Sequence, residues 1–86
     1  MGFYKIEWKH SAVWELKQLP KETISKILKA IEELTSNPFP PKTRKLEGSE
    51  KSFRIRIGDY RIVYSVYSKT LTIEIVRVGH RKDIYK

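Results

Sequence analysis

Phe53-Arg54-Ile55-Arg56-Ile57-Gly58-Asp59-Tyr60-Arg61-Ile62-Val63-Tyr64 is the stretch on which the fold turns. Its first half alternates strictly. Successive residues of an extended chain point to opposite sides, so Phe53, Ile55 and Ile57 share one face and Arg54 and Arg56 the other. Gly58-Asp59 is a turn dipeptide, and the run after it is rich in β-branched and aromatic residues. The pattern predicts a hairpin with strands over about Ser52 to Ile57 and Tyr60 to Tyr67. A further turn at Ser68-Lys69 and a third apolar run, about Thr70 to Val78, extend it to a β-meander.

Upstream, Phe3 to Lys9 alternates again, with Tyr4, Ile6 and Trp8 on one side and Lys5, Glu7 and Lys9 on the other, as in a half-buried strand. Ser11 is placed to cap a short helix carrying Val13, Leu16 and Leu19 until Pro20 interrupts it. Pro20 then opens a second helix, whose apolar stripe is Ile24, Ile27, Leu28, Ile31 and Leu34, with Lys26, Lys29, Glu32 and Glu33 in water. It ends before Asn37-Pro38. From Asn37 to Ser49 the prolines and charges read as loop. The expected fold is therefore α+β, in the order β-α-α-β-β-β: a twisted, mainly antiparallel sheet with an N-terminal helical hairpin packed on one face.

At 86 residues the chain has room for one domain, spanning residues 1–86. Its 40% apolar and 33% charged residues are those of a globular chain, not a disordered one. There is no cysteine, so neither a disulfide framework nor a thiolate metal site is available. No stretch approaches the roughly 18 apolar residues of a membrane span, and the start lacks the apolar run of a secretory signal. The expectation is a cytoplasmic protein with no membrane partner, no cofactor and no metal.

The net charge of +8 is lopsided. Residues 1–41 hold six lysines and five acids, net +1; residues 42–86 hold six lysines, six arginines and five acids, net +7. All six arginines, Arg44, Arg54, Arg56, Arg61, Arg77 and Arg81, lie in the second stretch. The planar fork of arginine matches phosphate oxygens, whereas lysine is a point charge often used for solubility. An arginine-lined β-surface that holds a polyanion, RNA in particular, follows; the plain alternative is a Lys/Glu-rich surface with no ligand.

Arg54 and Arg56 sit roughly 7 Å apart along one strand, close to the spacing of successive phosphates. Their bland alternative is exposed pairing with Glu74 on a neighbouring strand. Arg61 stands in a strand otherwise suited to burial and needs a partner, either an internal carboxylate such as Asp59 or a ligand phosphate. The last segment, Val78-Gly79-His80-Arg81-Lys82-Asp83-Ile84-Tyr85-Lys86, gathers proton donors and cations, with Ile84 and Tyr85 to anchor it. A histidine, an arginine and a tyrosine within six residues can supply acid/base groups and charge stabilisation for RNA cleavage without a metal. The alternatives are a charged tail and a histidine that caps a strand.

Lys45-Leu46-Glu47-Gly48, the Arg54/Arg56 strand, Gly58 to Tyr64 and Val78 to Tyr85, in this order and spacing, resemble the RelE/ParE superfamily of bacterial and archaeal toxin-antitoxin systems, and more closely its RelE-like mRNA-interferase branch. The resemblance covers nearly the whole chain. It implies ribosome-dependent cleavage of mRNA in the ribosomal A site, and a cognate RelB-like antitoxin that wraps the toxin. Position by position, it implies that Arg54 and Arg56 contact the RNA backbone and assist proton transfer; Lys45, Arg44, Arg77 and Lys82 are further RNA-binding candidates from the charge of this half of the chain. Arg61 matches the arginine on the scissile phosphate, Arg81 the one that assists the leaving group, and Tyr85 the tyrosine that orients or activates the 2′-hydroxyl. His80 joins Arg61, Arg81 and Tyr85 as a catalytic candidate. An arginine stays protonated and so holds phosphate instead of acting as general base. Glu47 stands where some relatives have an arginine. Two rival readings remain: a ParE-like toxin that inhibits DNA gyrase, and a non-catalytic nucleic-acid-binding module.

Overall fold

The computed structural model describes residues 3–80. Its elements are β1 (Lys5–Trp8), α1 (His10–Lys17), α2 (Lys21–Leu34), β2 (Arg44–Lys45), β3 (Ser52–Ile57), β4 (Tyr60–Tyr67) and β5 (Thr72–His80). The sheet order is β1-β5-β4-β3-β2. β1 runs parallel to β5, and the other three pairings are antiparallel. The α+β meander with a helical pair is as expected. β2 is an addition, because the run from Asn37 to Ser49 is not all loop.

The hairpin at Gly58-Asp59 fixes the register. Ile57 pairs with Tyr60 and Arg56 with Arg61, so the turn has two residues. Gly58 has φ +60°, the left-handed value that only glycine takes without steric cost. From this register one side of the sheet becomes the core. Ile55, Ile62, Tyr64, Val66, Ile73, Ile75 and Val78 pack against Ala12 of α1 and Ile27, Ile31 and Leu34 of α2.

The helices depart from the sequence reading in two ways. Lys9, not Ser11, is the N-cap of α1: its amide still donates to Ile75 in the sheet, while its carbonyl accepts from Ala12 and Val13, so strand turns into helix with no spacer. Consequently the buried line of α1 is Ala12, with Leu16 and Leu19 packed beside it, and Val13 falls to its flank. In α2, Ile27, Ile31 and Leu34 are buried at i, i+4 and i+7, while Leu28 is 45% exposed at the edge of the stripe. The last turn spans residues 68–71, with Leu71 at φ 49°, so β5 begins at Thr72 and runs on through His80.

Tyr64 closes the far side of the core. It is fully buried, and its hydroxyl donates to the Pro38 carbonyl at 2.7 Å and lies 3.1 Å from Thr43 Oγ1. Phe53 stacks beside it, and Phe39 meets Phe53 edge-on at 5.0 Å. The proline-rich segment is thereby held against the sheet, which lets Arg44 and Lys45 pair with Arg54 and Phe53.

Tyr64→Phe leaves a buried carbonyl without its donor, and the expected loss is about 1–3 kcal/mol in urea unfolding. Burial also pushes the Tyr64 phenol above its ordinary value, with the Thr43 hydrogen bond pulling partly back. A raised acid favours the neutral folded form. Its contribution is full below the unfolded value of about 10 and is lost as pH rises through the folded value. The stability difference between wild type and Tyr64→Phe should therefore shrink above about pH 10; a constant difference there would remove Tyr64 as the titrating group.

Candidate nucleic-acid interface

Opposite the helices, the same register assembles the cations. Across β2, β3 and β4, Arg44 faces Arg54, Arg54 faces Val63, and Arg56 faces Arg61. Residues directly opposite in an antiparallel pair share a face, so two arginine-arginine pairs stand side by side on the surface away from α1 and α2. They line a hollow of about 750 Å³ together with Lys42 and Asp59. Among the described residues, five cations and one carboxylate thus converge on one concavity.

The members differ in setting. Arg61 is only 8% exposed, whereas Arg44 and Arg56 are open to solvent and Arg54 is intermediate. The Arg56 guanidinium folds over the hairpin, donating from Nε to the Gly58 carbonyl at 3.0 Å. Asp59, the internal carboxylate considered for Arg61, lines the same hollow at the turn. Glu74, considered as the partner of Arg54 and Arg56, is not beside them. It pairs with Ser65 on β4 and Glu7 on β1, which puts it two strands from β3, about 10 Å away.

Four of the sequence-predicted cations, Arg44, Arg54, Arg56 and Arg61, are therefore brought together. Lys45 pairs with Phe53 and so takes the opposite parity from Arg44; it is exposed and does not line the hollow. Arg77 is elsewhere. It donates to Glu15 Oε2 at 3.2 Å, and Glu15 Oε1 accepts the Val78 amide at 3.0 Å, which ties α1 to β5. His80 packs edge-on against Tyr60, with ring centroids 5.5 Å apart. Arg77 and His80 both border a second, smaller hollow. Glu47 is exposed in the segment before β3. Arg81, Lys82 and Tyr85, with the anchoring Ile84, lie outside the described residues. Among the described residues no group of His, Cys, Asp or Glu is arranged to hold a metal ion, and no helix is long and apolar enough to cross a membrane.

Sequence reasoning passed over Lys42. It sits in the proline-rich run, but it precedes Arg44 by two, the spacing that puts alternate residues of an extended chain on one side.

Residues 6–85 match the family model described as ParE toxin of type II toxin-antitoxin system, parDE. The chain belongs to the RelE/ParE superfamily of type II toxins. Within the superfamily it is 33% identical to Toxin RelE3 of Methanocaldococcus jannaschii over 85 residues, covering 94% of each chain. It is 31% identical to Toxin RelG of Mycobacterium tuberculosis over 87 residues, covering 96% of this chain and 97% of that one. The RelE-RelB complex of Pyrococcus horikoshii contains a superfamily chain that superposes with a TM-score of 0.82 at 32% identity, covering 92% of this chain and 96% of that one.

Like charges directly opposite on a sheet are destabilising. Arg44→Gln should therefore raise the stability of the ligand-free protein by a few tenths of a kcal/mol at low salt, and the gain should fade near 1 M salt as screening takes over. Urea unfolding at the two salt concentrations measures it. A gain that is equal at both would show that the pair is not under electrostatic load.

Proposed function

We propose that this toxin is an endoribonuclease that cleaves mRNA in the A site of translating ribosomes. The observation that carries the reading is the hollow in which Arg44/Arg54 and Arg56/Arg61 converge, since several guanidinium forks facing one concavity match an anion with several oxygens. Arg44, Arg54 and Arg56 would run along the RNA backbone. Arg61, the least exposed of the four, suits the scissile phosphate, because a cation in a partly desolvated site acts more strongly on developing charge.

The reaction is attack of a ribose 2′-oxygen on the adjacent phosphorus, with loss of the 5′-oxygen and formation of a 2′,3′-cyclic phosphate. Arg61 stabilises the phosphorane charge, Arg81 assists the departing oxygen, and Tyr85 orients or activates the 2′-hydroxyl. His80 pairs with Tyr60 beside the Arg61–Gly79 pair and borders the second hollow, not the arginine hollow, so a part in proton transfer would be played from the rim of the site. These groups supply charge and protons from the chain itself, and the site of action is the cytoplasm, where the ribosomes are. Lys45 and Lys82 are peripheral cations for the same RNA or for ribosomal RNA, whereas Arg77 is engaged by Glu15.

RelE-RelB complexes among the relatives support a RelB-like antitoxin as the partner that silences this chain. Its segment over the arginine surface would be acidic. The matching family model is named for ParE, and that name favours gyrase inhibition as the second reading.

The test is an assay on programmed ribosomes. Arg61→Ala and Tyr85→Phe should each cut mRNA cleavage by about 100-fold or more while both variants still unfold cooperatively. Wild-type cleavage by both variants would remove the assigned site, and intact mRNA beside inhibited gyrase would favour the ParE-like function. Antitoxin binding should weaken steeply between about 50 and 500 mM salt; an affinity indifferent to salt would count against charge complementarity.

A further inference from the structure

The second hollow, about 310 Å³, lies where α1 meets the ends of β4 and β5. That is at the small end of ligand pockets, which run from about 300 Å³. Trp14 borders it with 65% of its surface exposed, which is unusual for an indole on a helix whose other side is core. Tyr60 and His80, held edge to face, form another wall, and Gly79 and Leu19 complete the lining that matters here. Arg77 and Glu15 are also in it, but they neutralise each other at 3.2 Å. One hollow is thus strongly cationic, and the other is aromatic with balanced charge.

The two are adjacent through the chain. Tyr60 faces the second hollow and Arg61, about 3.8 Å further on at Cα, faces the first, because neighbouring strand residues point to opposite sides. Across the ladder Arg61 is paired with Gly79, a residue with no side chain, and Gly79 itself borders the aromatic hollow. A nucleotide whose phosphate rests on Arg61 therefore has its base within reach of the aromatic wall around the end of the sheet. A balanced-charge, ring-lined pocket suits a neutral planar base and offers nothing to a further phosphate.

We propose that this hollow is a nucleobase subsite, with Trp14 as the stacking residue that helps to set which nucleotide is cut. The inference rests on the arginine hollow being an RNA-backbone site. The probes are a short 2′-O-methyl RNA, which lacks the attacking hydroxyl, and inorganic polyphosphate, which has phosphates but no bases. With the full chain, the RNA should quench tryptophan fluorescence, and that change should be lost in Trp14→Ala. The same substitution should weaken RNA binding by about tenfold and leave polyphosphate binding unchanged. Trp14→Phe, which keeps a ring, should restore most of the affinity. Equal RNA affinity of Trp14→Ala and wild type, with both probes still bound, overturns the subsite and leaves the backbone site standing. Failure of both probes to bind overturns the backbone reading and the subsite with it. Shielding of Trp14 by an acidic antitoxin peptide and not by RNA would make this a protein interface, and the proposal falls.

Discussion

Parity along β3 and β4 is the constraint on which the rest of the molecule depends. Side chains alternate with a period of exactly two, so a slip of one residue in the pairing would turn Ile55, Ile62 and Tyr64 out to water and drive Arg54 and Arg61 under the helices. Burying an arginine without a partner costs several kcal/mol, and the loss of three core side chains is of the same order. The two-residue turn at Gly58-Asp59 holds this register, with Gly58 in a conformation that other residues adopt only with strain. Core and candidate site are thus two readouts of one register.

The next dependence runs through Tyr64. It belongs to the core face, yet its hydroxyl reaches the segment that precedes β2 and holds it at Pro38 and Thr43. Lys42 and Arg44 flank Thr43, so one buried hydrogen-bonded phenol places two of the five cations. An exposed, proline-rich run is thereby as well positioned as a strand. This matters for an anion site, where a small misplacement of a charge is a large loss of interaction energy.

How much of this was legible follows from the range of the interactions. Alternation is local, so the faces of β3, the Gly58-Asp59 turn and the shared side of Arg54 and Arg56 were all readable from the sequence. The arginine count in the second half pointed to the face on which Arg44, Arg54, Arg56 and Arg61 gather. What was not readable depended on long-range contacts. β2 forms because Tyr64 and Phe53 capture the loop, and nothing within Asn37 to Ser49 announces that. Ala12 replaces Val13 in the core because the chain enters α1 directly from β1, which sets the helical phase. Arg77 looked like one more cation of the set, and the register does set it opposite Val63, but the carboxylate of Glu15, 62 residues away, draws its guanidinium to α1. Arg81 and Tyr85 were assigned by resemblance and lie outside the described residues, so they stand on that resemblance and on the proposal built from it.

That a family model named for ParE and relatives named for RelE both match one chain is a physical consequence of the same division of faces. The fold is specified by the helix-side residues: Ile27, Ile31 and Leu34 against Ile62, Tyr64, Ile73 and Ile75. None of these reaches the hollow. Substitutions on the open face can alter what is bound while the core, and therefore the family likeness, stays the same. Arg44 stands opposite Arg54 and Arg56 opposite Arg61, and none of the four belongs to the core cluster. Cations gathered on a face that holds none of the core can be exchanged without loss of the fold. The proposed RNA contact is therefore argued from this face and not from the family name.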